Sequence, residues 1–210
     1  MIKFKTIKNN ETAEIEEKRS RFIASIYYVE TVEEAEEAIK QTKKKYYDAK
    51  HNCFAYIIQE KENILKRFSD DGEPSGTAGS PILNVLERNN LCNVLIVVTR
   101  YFGGILLGTG GLVRAYTEAA TKSVEKSEIT EQELGYEIEL EIQYQEFEKF
   151  KYYCNKNNIN IKNIEYKENV SCIIEATENE KSIILANNMY EKDLPNIQKY
   201  KIMKKKYIRK

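Results

Sequence analysis

The chain has no tryptophan, one histidine and three prolines in 210 residues, and 33 lysines and arginines balance 33 aspartates and glutamates. That balance excludes a global field drawing the chain onto nucleic acid, so any such binding must come from local patches. No apolar run approaches the roughly 18 residues needed to cross a bilayer, and the N-terminal MIKFKTIKNNETAEIEEK lacks the apolar core of a secretion signal. A cytoplasmic protein with no membrane partner is expected. Cys53, Cys92, Cys154 and Cys172 stand far apart, without a CxxC pair or Cys/His cluster, which excludes the usual zinc and dithiol signatures. They read as buried, reduced thiols, and neither a metal nor another cofactor is expected. No serine falls in GxSxG, and no Walker loop or EF-hand spacing occurs. What is present, 41% hydrophobic with 31% charged residues, suits a soluble globular protein of one large or two small domains.

Eight of the nine glycines lie between Gly72 and Gly111. Five of them fall in VVTRYFGGILLGTGGLVRAY at 97–116, where an apolar strand runs into a glycine loop and then a helix starting near Gly110. Backbone N–H groups of Gly108, Thr109, Gly110 and Gly111, with the helix dipole, suit a phosphate or carboxylate, and Arg100 and Arg114 supply charge. Equally, the glycines answer needs for positive φ and close packing, with Arg100 paired to a carboxylate such as Asp71. Both readings stay open. Tyr101 and Phe102 beside Arg100 read as core more than as a base-stacking pair.

Asp70, Asp71 and Glu73 precede Ser75, Thr77 and Ser80 in SDDGEPSGTAGSPI, read as a structured turn rather than a cation site. The lone His51 has no third member of a catalytic set and reads as orienting a ligand or the acidic turn. The basic KYKIMKKKYIRK at 199–210 meets no acid nearby in sequence and reads as a solvated strand and tail.

Periodicity gives an α+β chain. Strands are expected over 2–7, 11–17 and 20–28, and a helix from Thr31, where Thr31 and Glu34 form a capping box and Val32, Ala35, Ile39 and Tyr46 line one side. A hairpin follows over 51–68, turning at Glu60-Lys61-Glu62. A helix is expected after Ser80 as N-cap and Pro81, then the strand CNVLIVVT. A polar connector near 127–132 separates domain 1–130 from domain 131–210. Beyond it come a strand with Tyr136, Ile138, Leu140, Ile142 and Tyr144 on one face, and a helix carrying Phe147, Phe150 and Cys154. Two more strands precede a short helix over 182–191 with Ile183, Ala186 and Tyr190 inward, and a last strand. That order, β-α-β-β-α-β, is ferredoxin-like.

Four ordered motifs, KRSRF at 18–22, AKHNCFAY at 49–56, SDDGEPSGTAGSPIL at 69–83 and VLIVVTRYFGGILLGTGGLVRAY at 94–116, resemble the YigZ/IMPACT family. The second domain resembles, by length and strand order, the C-terminal domain of the bacterial YigZ branch. The resemblance implies a first domain like the second domain of ribosomal protein S5 and of elongation factor G domain IV. It implies a second domain like that factor's ferredoxin-like domains. It implies a link to translation, since the eukaryotic IMPACT proteins are translation regulators acting through a stress kinase's activator. Their RWD domain is not matched here, so that kinase role does not transfer directly. By motif, Arg21, His51, Asp71, Glu73, Ser75, Arg100, Tyr101, Gly103, Gly104, Gly108 and Arg114 are the characteristic positions.

The reading is a noncatalytic, translation-linked regulator binding RNA or the ribosome. Arg21, His51, Arg100, Tyr101, Gly103, Gly104, Gly108, Thr109, Gly110, Gly111 and Arg114 form the anion or nucleic-acid site, with Asp71, Glu73, Ser75 and Thr77 as the supporting turn. Two alternatives stand beside it: an enzyme with Asp71 or Glu73 as acid/base on a small phosphorylated or peptidic substrate, and a module for a protein partner.

Overall fold

The apolar run VLIVV predicts a strand buried on both faces, and it lies at the centre of the first sheet. A computed structural model describes residues 3–60, 63–185 and 196–209. The described chain divides into a unit from Phe4 to Thr130 and a unit from Glu131 onward that also takes in Lys3. Residues 2, 61–62, 186–191 and 210 of the expected elements, Ala186 and Tyr190 among them, lie outside the described residues.

The elements up to Lys126 are β1 (Lys3–Ile7), β2 (Glu11–Glu17), β3 (Ser20–Tyr28), α1 (Val32–Lys45), β4 (His51–Glu60), β5 (Asn63–Ser69), α2 (Gly79–Arg88), β6 (Val94–Tyr101) and α3 (Gly108–Lys126). The sheet runs β2-β3-β6-β4-β5, every neighbouring pair antiparallel. Side chains alternate between faces with period two. Cys53, Ala55, Ile57, Val94, Ile96 and Val98 pack beneath α2 and α3, while Tyr56, Ile58, Leu95 and Val97 pack beneath Ala35 and Ile39 of α1. Thr31 caps α1 as expected, its hydroxyl accepting from the Glu34 N–H at 3.2 Å. Thr42 rather than Tyr46 completes the buried stripe, because the helix ends at Lys45.

The second unit follows with β7 (Ile129–Ile142), α4 (Tyr144–Lys156), β8 (Ile161–Tyr166), β9 (Val170–Thr177), α5 (Glu178–Leu185) and β10 (Ile197–Arg209). Its strands lie in the order β10-β7-β9-β8. That is the ferredoxin-like arrangement, with α4 and α5 on one face over Ile138, Leu140, Ile142, Cys172 and Ile174. The expected polar connector is mostly strand: β7 starts at Ile129, and Thr130 and Gln132 are buried although polar, which hides the alternation from a hydropathy reading. α5 begins at Glu178, earlier than expected, because Thr177 and Glu180 form a reciprocal capping box with hydrogen bonds of 2.8 and 3.3 Å. Ile184, not Ile183, is its buried residue.

The basic C-terminal strand does meet acids once the sheet forms. Lys199 reaches Glu141 and Lys204 reaches Glu137 at 3.5 Å, and Lys206 donates to Glu175 at 2.6 Å. All four cysteines are buried and free, and burial pushes the Cys53 thiol up to about 12.

Candidate functional site

The acidic turn between β5 and α2 is organised by one carboxylate. Asp70 accepts from the backbone N–H of Gly76 at 2.8 Å, Ala78 at 2.9 Å and Gly79 at 2.8 Å. Asp70 therefore does the work expected of Ser80: the N-cap residue is Ala78, whose side chain offers no acceptor. Gly79 must be glycine, since a Cβ there would lie 2.8 Å from the Ser69 backbone. Asp71 sits at positive φ and accepts from the Asn52 N–H and Lys43 Nζ, both at 2.7 Å. His51 Nδ1 lies 3.0 Å from the Asp71 carbonyl oxygen, tying the histidine to the turn. Thr77 donates to the Pro74 carbonyl at 2.6 Å, and Ser75 is exposed.

From this turn Glu73 points inward. Arg100 donates to its Oε1 at 2.6 Å and the Tyr116 hydroxyl donates to the same oxygen at 2.8 Å, with Arg100 and Glu73 side chains only 7% and 4% exposed. The carboxylate partner of Arg100 is thus Glu73, not Asp71. The guanidinium lies over the rings of Phe22 at 5.4 Å and Phe102 at 5.6 Å, and its Nε is buried without a partner. Burial pushes the Tyr116 hydroxyl far above its usual range, so it remains a neutral donor. One buried triad thereby joins the turn, β6 and α3, and it withdraws the Arg100 charge from solvent.

The glycine loop leaves β6 on the other side of this clamp. A Cβ at Gly103 would fall 2.0 Å from the Arg19 carbonyl carbon, and its N–H donates to Ser20 Oγ at 3.1 Å, so the loop starts pressed against the β2–β3 turn. That turn is Lys18-Arg19, both at positive φ, the geometry of a two-residue hairpin that usually selects Asn-Gly. Gly104 and Gly108 have positive φ with open space around them, and α3 begins at Gly108 rather than Gly110. Gly103→Ala should therefore cost about 1–3 kcal/mol by overpacking, against about 1–2 kcal/mol for Gly104→Ala from backbone strain alone. Only Gly103→Ala should shift the Arg19 and Ser20 amide resonances in an NMR comparison of the two variants.

Exposure along the loop is high. Lys18, Arg19, Thr109, Gly110 and Arg114 are exposed. Phe102 is 54% exposed and Leu106 83%, so Phe102 is not core. No side chain caps α3 and its first turn has no acid. Arg114 lies in the second turn of this longer helix. Tyr101 and Arg21 face the opposite side of the sheet: Tyr101 donates to Asp48 at 2.7 Å, and Arg21 is held by Glu14 at 2.8 Å and stacks over Tyr101 at 5.7 Å.

Comparison with known proteins decides the family: residues 18–124 match the Impact N-terminal domain, and residues 140–182 match a domain of unknown function, DUF1949. The chain belongs to the IMPACT family. YvyE, an IMPACT family member of Bacillus subtilis, is 41% identical over 165 residues, 79% of this chain and 76% of YvyE. YigZ, an IMPACT family member of Escherichia coli, is 44% identical over 100 residues, 47% of this chain and 49% of YigZ. A crystal structure of a hypothetical protein superposes with a TM-score of 0.64 at 30% identity, covering 89% of this chain and 93% of its own.

In this IMPACT-family chain the resembling segments converge on one end of the first sheet. His51 and Phe22 both pair with Arg100 across strands, and Arg21 pairs with Tyr101. Two cations absent from the expected site, Lys18 and Arg19, lie beside Gly103. The signal was legible in KRSRF, where exactly two residues separate the paired strands β2 and β3. Cavities of about 350 and 300 Å³ lie elsewhere, the first lined by Glu36, Phe54, Tyr56 and Arg67, the second by Glu139, Ser171 and Lys199. Among the described residues no three His, Cys, Asp or Glu side chains gather as a metal group, and no helix is long and apolar enough to cross a membrane.

Proposed function

We propose that this chain is a noncatalytic, translation-linked regulator that engages RNA or the ribosome through the Gly103–Arg114 loop and the adjoining Lys18-Arg19 turn. The translation-linked part follows the family, whose eukaryotic members are translation regulators. The loop's part is carried by one observation: Lys18, Arg19 and Arg114 are exposed around an uncapped helix start, and among the described residues none has a carboxylate partner. Uncompensated cations beside free backbone N–H groups suit phosphate oxygens. Arg100 contributes by holding the loop's base through Glu73, not by contact. Asp71 and Glu73 are already hydrogen-bonded to the protein's own groups, which argues against acid/base work on a substrate.

The test is fluorescence anisotropy of a labelled RNA with the intact chain across a salt series. Arg19→Ala and Arg114→Ala should each weaken binding and flatten the salt slope by roughly 0.7 for single strands. An unchanged slope in both variants contradicts phosphate contact at the loop. A second reading has its own support in the apolar side chains Phe102, Ile105, Leu106 and Val113 exposed on the same loop, which suit a protein partner. Binding to ribosomal particles that survives high salt but is lost in Leu106→Ser would favour it.

A further inference from the structure

A second charged surface lies on the other face of the same sheet, at the end of α1. The last turn of that helix carries Lys43, Lys44 and Lys45, and Lys50 follows. Lys43 is neutralised by Asp71, but among the described residues Lys44, Lys45 and Lys50 have no carboxylate partner. The nearest acid in sequence, Asp48, makes no ion pair with them and accepts from the Tyr101 hydroxyl. Between these cations stands Tyr47, 86% exposed. It is held in an ordered turn, since the Tyr46 N–H bonds the Thr42 carbonyl and the Ala49 N–H bonds the Tyr46 carbonyl, both at 3.0 Å.

Lysines at a helix C-terminus are explained by the dipole. The dipole explains neither Lys50 nor a tyrosine left almost wholly in water when the neighbouring Tyr46 folds back under Lys45 at 4.9 Å. An exposed aromatic ring on an ordered turn, flanked by lysines without carboxylate partners, is the composition of a single-strand platform: the ring stacks a base and the ammonium groups meet the flanking phosphates. A duplex, with its bases already stacked, cannot use the ring.

We infer that Tyr47, with Lys44 and Lys50, forms a second contact site for single-stranded RNA, separate from the glycine loop. The inference rests on RNA being the ligand of this chain, and its test separates the two sites. The intact chain, Tyr47→Ala, Lys44→Gln/Lys50→Gln and Arg114→Ala are titrated against a short fluorescein-labelled oligouridylate and a duplex RNA across a salt series. Tyr47→Ala should weaken oligouridylate binding roughly 5- to 150-fold without changing the salt slope, and leave duplex binding unaltered. The double lysine variant should flatten the slope by roughly 1.4, twice the single-contact value. All three residues are exposed, so unfolding temperatures should match the parent. Loss in Arg114→Ala with no loss in the Tyr47 and lysine variants overturns this inference and leaves the loop reading standing. The reverse pattern supports it and removes the loop. Equal loss of duplex binding in Tyr47→Ala overturns stacking, and no binding by the intact chain at low salt overturns both sites.

Discussion

Glu73→Ala should destabilise the first unit by about 3–5 kcal/mol, measured as a fall in the urea midpoint. The size follows from what is left behind. Arg100 would stay buried between Phe22 and Phe102 with its charge uncompensated and its Nε already without a partner, and Tyr116 would lose its acceptor. Glu73→Gln should cost less, because an amide oxygen still accepts from both donors. Replacing Glu73 and Arg100 by leucine together with Tyr116→Phe should recover most of the loss, since the pair's desolvation penalty and the unpaired hydroxyl disappear together. A midpoint for Glu73→Ala equal to the parent's would mean that the clamp contributes nothing and that the loop is held by other contacts.

Asp70→Ala should cost about 2–4 kcal/mol, since three backbone N–H donors at the start of α2 lose their acceptor together. The same residue sets an acid limit on stability. Burial raises the Asp70 carboxyl, but the bonds from Gly76, Gly79 and Ala78 outweigh it, so the folded value lies below the ordinary 3.8. A depressed carboxylate contributes fully above its unfolded value, and the contribution is lost as the pH falls through the folded one. Stability should therefore drop below pH 3.8 in a step that Asp70→Ala lacks. A parallel pH dependence in parent and variant would show that the carboxylate is not what holds the turn.

Both effects hang on contacts that no local sequence signal marks. Alternation predicted the strands, and Thr31 with Glu34 predicted the start of α1, because those signals are local. The ferredoxin-like order of the second unit followed from element order alone. The partner of Arg100 did not, since Glu73 is reached only when the turn after β5 folds back beside β6. Asp70 escaped for the same reason: it caps a helix from eight residues before Ala78, outside the one-to-three-residue window in which caps are sought. The lysines of β10 looked uncompensated because their acids lie on β7 and β9. The Thr177–Glu180 box, by contrast, is a local signal, and it starts α5 ahead of the apolar pattern that marks 182–191.

Of the candidate site, the glycines and Arg114 were legible as a loop feeding a helix, and its exposure is what the structure adds. Lys18 and Arg19 stand in KRSRF, but their place beside the loop follows from the contact of Gly103 with their turn. The candidate site is a glycine loop with exposed cations and apolar side chains, and its buried Arg100 serves the scaffold.

Sucrose-gradient co-sedimentation of the intact chain with purified ribosomes, at low and at near-physiological salt, tests the proposed ribosome-linked binding. The chain should travel with ribosomal particles at low salt, and an Arg19→Ala/Arg114→Ala variant with unchanged unfolding temperature should stay near the top of the gradient. A parent chain that remains at the top at both salt concentrations, while folded, would contradict it.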